Sequence, residues 1–285
     1  MFRIGKKMLG QKYYHTYTYE NEAMRLTFSD LGGTIIDWQT KDAEGRFESI
    51  ILSYEDEMNY LRNPKYLGAT IGPYAGRIYP PRFIIDAQTK ELDKQKRDLP
   101  FLHSQSDNLM FHHYETTILA PNQIAFRTCY EGRENHFPGQ TAFEIIYEIN
   151  GESLDQTYRS YAKENTYTNL TNHTYFNLSG NLKDSILHHK LMIKASRYGE
   201  LDAKNMTKDI RSVDDSGLDF RTLKVINEAI EILRYTPQKG LDHPFILDEG
   251  VILLHDPKSK RTLRIKTDQD AVVVYSNNVI EPLVM

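Results

Sequence analysis

The chain carries a single cysteine, Cys129, in 285 residues. No intrachain disulfide can therefore brace it, which fits a reducing compartment. No stretch approaches the apolar length of a membrane span. The opening Met-Phe-Arg-Ile-Gly-Lys-Lys lacks the apolar core of a secretion signal, so the cytoplasm is the expected location. Positive charge is not in excess either: a net charge of −4 leaves no basic footprint for nucleic acid. The one dense basic stretch, Lys90 to Arg97, is mixed with acids and reads as a solvated loop. His112 and His113 are adjacent but have no third ligand at a convincing spacing, so no metal site is expected there. Helix signals are few and short, chiefly Leu223 to Leu233 around Asn227-Glu228-Ala229-Ile230.

What the chain has instead is alternation. Apolar and polar residues alternate with period two at Met24 to Phe28, Gln123 to Tyr130, Ala142 to Ile149, Leu191 to Ile193 and Ala271 to Tyr275. Turn chemistry separates these runs at Asp30-Leu31-Gly32-Gly33, Pro138-Gly139, Asn150-Gly151, Ser179-Gly180 and Asp256-Pro257. Asn150-Gly151 joins two runs as a hairpin signal should. The 19 tyrosines suit both pleated strands and sugar-facing surfaces. Without a long linker or repeat, residues 1–285 read as one large all-β antiparallel domain, a sandwich or barrel.

Five segments are candidates for chemistry. Thr168 to Gly180 packs amides and hydroxyls around His173, and such groups both donate to and accept from sugar hydroxyls. Asn172 is one of these amides, and His173 is the one group there whose charge changes near neutral pH. The competing reading is an edge strand with a surface histidine. Gly68 to Ile78 holds three glycines ahead of Arg77, a rigid fork for hydroxyls or a surface partner for a carboxylate. It is no phosphate loop, because no Lys-Ser/Thr follows. His103 sits in Phe101-Leu102-His103-Ser104-Gln105. Asp242 precedes an apolar run and is either a clamp for adjacent hydroxyls or a turn-forming aspartate. Tyr275 heads the polar exit Ser276-Asn277-Asn278.

Taken in order, these segments resemble the aldose 1-epimerase (galactose mutarotase) family. The likeness runs from Leu31-Gly32-Gly33-Thr34 through Gly68 to Ile78, Leu102-His103, Phe137-Pro138-Gly139, Thr168 to Gly180, Asp219-Phe220-Arg221 and Asp242 to Tyr275-Ser276-Asn277-Asn278. It implies a large antiparallel β-supersandwich with few short helices and an open sugar cleft. It also implies interconversion of the α and β anomers of free aldoses such as galactose and glucose, without metal or organic cofactor. On the matching positions His173 would be the general acid and His103 would assist at the ring oxygen. Arg77, Asp242 and Asn172 would hold the sugar. The expected partner is the small-molecule aldose alone, with neither nucleic acid nor membrane.

Three departures stand out. Pro73-Tyr74-Ala75-Gly76-Arg77 replaces the family's Arg-Val-Ala-Asn-Arg, and Leu102-His103-Ser104-Gln105 replaces Leu-His-Gly-Gly. The family's base is a glutamate well downstream of the Tyr-x-x-Asn segment, whereas Glu281 is the one nearby carboxylate here and Pro282 follows it. The expectation is a chain short at its C-terminus, lacking the last strands and the usual base. Two alternatives remain at this point: a non-catalytic carbohydrate-binding derivative, and a sugar-phosphate epimerase. Against the latter, the lost first arginine removes a phosphate ligand.

Overall fold

The computed structural model describes residues 1–93, 99–133 and 135–278. Glu281 lies outside the described residues, as does most of the basic run after Asp93. The chain forms two compact units, Met1–Phe176 and Asn177–Met285.

The first unit is built on two antiparallel meanders. One is a five-stranded sheet in chain order: Arg3–Leu9, Lys12–Glu20, Met24–Ser29, Thr34–Lys41 and Phe47–Ser49. The other is four-stranded: Glu115–Ala120, Gln123–Tyr130, Thr141–Asn150 and Ser153–Ala162. Alternation decides which face is buried. In Thr141–Asn150 the residues Thr141, Phe143, Ile145, Tyr147 and Ile149 point inward while their neighbours do not. Rings from the two sheets then meet. Phe28 lies 4.7 Å from Tyr147 and 6.2 Å from Phe126, and Tyr17 stands edge-on to Phe126 at 5.8 Å. Each such pair contributes about 0.5–1.5 kcal/mol beyond its burial. Face-to-face contact of two sheets is the sandwich that the alternation implies.

The second unit holds two four-stranded sheets. Lys224–Val225, Lys190–Ile193, Val251–His255 and Thr262–Lys266 make one; Thr207–Ser212, Arg197–Leu201, Asp242–Ile246 and Ala271–Tyr275 make the other. Leu191, Ile193, Phe220, Phe245 and Ile252 form its core. The helix Ile226–Leu233 buries Ile226, Ala229 and Leu233, one face at helical spacing. It starts later than the sequence suggests because Lys224 and Val225 are drawn into a ladder with Leu191 and Lys190.

The all-β antiparallel expectation holds, and two strands, Gln123–Tyr130 and Ala271–Tyr275, keep their expected bounds. Among the described residues no helix is long and apolar enough to cross a membrane.

One backbone approach ties the sheets to the loops. Gly68 has φ +62°, and a Cβ there would lie 1.9 Å from the Ile35 carbonyl oxygen. Its carbonyl accepts from the Ile35 N–H at 2.9 Å and from Asn172 Nδ2 at 3.1 Å, and its N–H donates to the His173 carbonyl at 3.1 Å. Gly151, at the hairpin after Asn150, also has positive φ, but a Cβ there meets nothing within 4 Å. Gly151→Ala should therefore cost only the left-handed backbone penalty, about 1–2 kcal/mol. Gly68→Ala adds a backbone clash and should cost at least twice as much in urea unfolding. Equal losses for the two variants would remove the close approach as a constraint.

Candidate active site

Short paired strands in the first unit carry or adjoin Arg77, His103, Asn172 and His173. Thr171–Asn172 pairs with Thr70–Ile71, and Arg77–Ile78 pairs with Phe101–Leu102, setting Arg77 opposite Leu102. His173 and His103 follow these strands directly. Ring centroids of His103 and His173 lie 5.5 Å apart at 88°. Tyr66 touches both, at 4.9 Å from His103 and 5.3 Å from His173, and Tyr175 lies 5.2 Å from His173 on its own segment. The Arg77 charge acts on both His103 and Tyr66. Arg77, His103, Asn172 and His173 thus lie in one neighbourhood of the first unit.

His103 is held by an unusual backbone. His103, Ser104 and Gln105 all have positive φ, at 52°, 55° and 47°. Two of the three stand where the family pattern has glycine, so the departure keeps the left-handed turn. Ser104 replaces glycine's freedom with bonds. Its hydroxyl, fully buried, accepts from the Tyr74 N–H at 3.0 Å and donates to the Tyr74 carbonyl at 3.1 Å. Gly76 then grips His103 twice. The His103 N–H donates to the Gly76 carbonyl, and the Gly76 N–H donates to His103 Nδ1, both at 3.0 Å. Gly76 has φ +98°, outside the ordinary range of a side-chain-bearing residue. An Nδ1 that accepts a backbone N–H must carry its neutral proton on Nε2, so His103 is fixed as a donor through Nε2.

The His173 backbone is fixed at both groups, its N–H donating to the Ala69 carbonyl at 2.9 Å and its carbonyl accepting the Gly68 N–H at 3.1 Å. The asparagines of its segment act on the scaffold. Asn169 donates to the Ala75 carbonyl at 3.0 Å and accepts the Ala75 N–H on its own carbonyl at 2.7 Å. Asn172 donates to the Gly68 carbonyl and accepts from both the N–H and the hydroxyl of Thr174, at 3.2 and 2.5 Å.

Electrostatics make the pair neutral at rest. Burial, then the charges of His173 and Arg77, push His103 down to about 3. Burial pushes His173 down to about 4, partly offset by a bond to its own backbone carbonyl. Tyr66 is raised by burial, with Arg77 opposing the shift. At neutral pH the arrangement offers one guanidinium, two uncharged imidazoles and tyrosine rings, a set that binds hydroxyls and can pass protons without a strong fixed anion.

Asp242 is in the second unit, buried at the start of Asp242–Ile246 and opposite Tyr275. The Ser276-Asn277-Asn278 exit braces the residue before it: Leu241 bonds to Ser276 through both backbone groups and takes Asn278 Nδ2 on its carbonyl at 2.7 Å. Reasoning from sequence missed Tyr66. The only signal was its place two residues before Gly68, with φ +59°.

The class comes first from the fold. The chain is similar to galactose 1-epimerase from Lactobacillus acidophilus NCFM, with TM-score 0.86 and 24% identity, over 98% of this chain and 83% of that one. It is also similar to an aldose epimerase homologue from C. elegans, with TM-score 0.80 and 20% identity, over 94% and 80%. These likenesses define a galactose mutarotase-like β-supersandwich. Sequence then carries the assignment further: the chain belongs to the aldose 1-epimerase family, whose model matches residues 15–282. Galactose mutarotase of Bos taurus is 26% identical over 286 residues, covering 98% of this chain and 82% of the relative. Aldose 1-epimerase of Escherichia coli K12 is 28% identical over 282 residues, covering 95% and 80%.

Two depressed histidines have a consequence for stability. Their unfolded-state value is about 6.5, so below that pH the unfolded chain binds protons that the folded chain refuses. Stability is full above pH 6.5 and falls as pH drops through 4 and 3, by on the order of a few kcal/mol in total. Urea unfolding at stepped pH should show this, and the His173 ring proton should titrate near 4 by NMR. Titration of His173 at its ordinary value would discard the buried, neutral pair.

Proposed function

We propose that the chain is an aldose 1-epimerase that interconverts the α and β anomers of free hexoses, galactose or glucose. The observation that carries this is the contact of His173 with a His103 locked as an Nε2–H donor, beside Arg77. Membership of the family supports it.

In this reading His173 gives a proton to the ring oxygen while a base takes the proton of the C1 hydroxyl. The C1–O5 bond breaks and the aldehyde turns about C1–C2. Closure from the other face returns both protons, so none is consumed. His103 donates from Nε2 toward the ring oxygen and Arg77 holds hydroxyls. Asn172 is a positioning residue, since its amide is engaged with Gly68 and Thr174. Asp242 clamps a pair of sugar hydroxyls.

An imidazolium with a pKa near 4 is a strong acid but sparsely populated at pH 7. A carboxylate as base offsets this, because an opposite charge favours imidazolium. Acid and base are therefore coupled. The usual glutamate base is expected to be missing, Glu281 is the one nearby carboxylate that could stand in for it, and a non-catalytic sugar-binding protein is the second reading if no base acts.

Polarimetry of freshly dissolved α-galactose tests the set. His173→Gln should lower kcat by about 10²–10⁴-fold with KM little changed. Arg77→Lys should act mainly on KM, because a single ammonium cannot reproduce the planar fork. Glu281→Gln decides the base: a loss of mutarotation comparable to that of His173→Gln would assign the role to Glu281, and mutarotation as fast as the parent's would remove Glu281 from it. Hexose binding by calorimetry with no rate enhancement in the parent chain would replace the enzyme with the binding protein.

A further inference from the structure

His112 and His113 lack a third ligand in the sequence, and the fold separates them. His112 turns to the Thr128 hydroxyl, 2.8 Å from its Nδ1. His113 turns the other way and meets two residues far away in the chain, one in a strand and one in the turn that follows the next strand. Its Nε2 lies 2.9 Å from Asp30 Oδ2, and His15 Nδ1 lies 3.0 Å from the same oxygen. We propose that His15, Asp30 and His113 form a binding site for a zinc-like divalent transition ion, remote in role from the sugar chemistry.

The donor set is one that such ions choose: two imidazoles and one carboxylate, with open positions for solvent. The spacing fits. Ligands about 2.1 Å from a common ion at the tetrahedral angle stand about 3.4 Å apart. The imidazole nitrogens lie 3.0 and 2.9 Å from Asp30 Oδ2, within about half an ångström of that separation, and all three donor atoms lie within 4.8 Å of one another.

The site is also held in shape by backbone. The Asp30 N–H donates to the His15 carbonyl at 3.1 Å, and the His15 N–H donates to Asp30 Oδ1 at 2.9 Å. The Tyr114 N–H donates to the Asp30 carbonyl at 2.8 Å, and Leu31 bridges His113. An ion would therefore find its ligands positioned rather than gather them. Access is open: the Asp30 side chain is 2% exposed, but those of His15 and His113 are 37% and 50% exposed. Without an ion, two ring N–H groups can satisfy Asp30 Oδ2. With one, each neutral ring exchanges tautomer through solvent, so its proton moves to the far nitrogen and the near one turns a lone pair to the ion, with no net loss of protons.

A second cluster gives the contrast. His188, His189 and Asp256 are equally close together. There the Leu178 N–H donates to His189 Nε2 at 3.0 Å, so the neutral ring carries its proton on Nδ1, the atom that faces Asp256. That nitrogen has no lone pair to give.

Calorimetric titration of the chelator-treated full chain with zinc chloride tests the assignment, with cobalt(II) absorption as a second readout. One equivalent should bind, with cobalt bands of imidazole ligation. His113→Ala and His15→Ala should each weaken binding at least tenfold, and His188→Ala should leave it unchanged. His113→Gln serves as the replacement if His113→Ala does not fold, judged by its urea midpoint. No saturable binding, binding unaffected by both histidine changes, or binding lost only in His188→Ala would each overturn the proposal.

Discussion

The backbone of Gly68 lies against Ile35 at a distance that no side chain can share. Much else hangs from that contact. Ile35 belongs to the Thr34–Lys41 strand of the five-stranded sheet, so the rigid part of the first unit reaches Gly68 directly. Gly68 passes the position on to the His173 carbonyl and to the Asn172 amide. An imidazole proposed to move a proton from a loop needs such a line of support, because misplacement weakens proton transfer. Here the support consists of backbone hydrogen bonds, which carry little rotamer freedom to lose.

The two imidazoles are held differently, and the difference matters for their chemistry. His173 is anchored at its backbone. His103 is also anchored at its ring, through the Gly76 N–H. Protonating Nδ1 of His103 would set two N–H groups against each other, so its neutral tautomer is enforced by geometry as well as by burial. His173 has no such lock, which leaves it the better placed of the two to change charge during a reaction.

Much of this was legible in the sequence, and for identifiable reasons. Gln123–Tyr130 and Ala271–Tyr275 were readable because one face of each is more buried than the other, which writes a period of two into the chain. The Thr-Asn-Leu-Thr-Asn-His segment was readable because it gathers amides and hydroxyls around one histidine. The use of those amides was less readable: Asn172 looks like a sugar ligand by type, yet its bonds run to Gly68 and Thr174. Tyr66 was invisible because ring contacts among Tyr66, His103 and His173 depend on the path of three separate loops. His15, Asp30 and His113 were hidden for the same reason: ligands 15 and 83 residues apart in the chain leave no local spacing. The division at Phe176 left no trace either, since no change of composition or linker marks it.

The left-handed run His103-Ser104-Gln105 bears on how this site could have diverged from its relatives. Glycine holds such a turn with no backbone penalty but leaves the unfolded chain very free. Serine and glutamine restrict that freedom and accept local strain, while the Ser104 hydroxyl secures Tyr74 in return. Reversion of Ser104 to glycine would relax the turn and at the same time release Tyr74, which stacks on Phe137 at 5.5 Å. The two neighbourhoods are thus mechanically joined through one hydroxyl group. A change at Ser104 therefore reaches the His103 turn and the aromatic stack together.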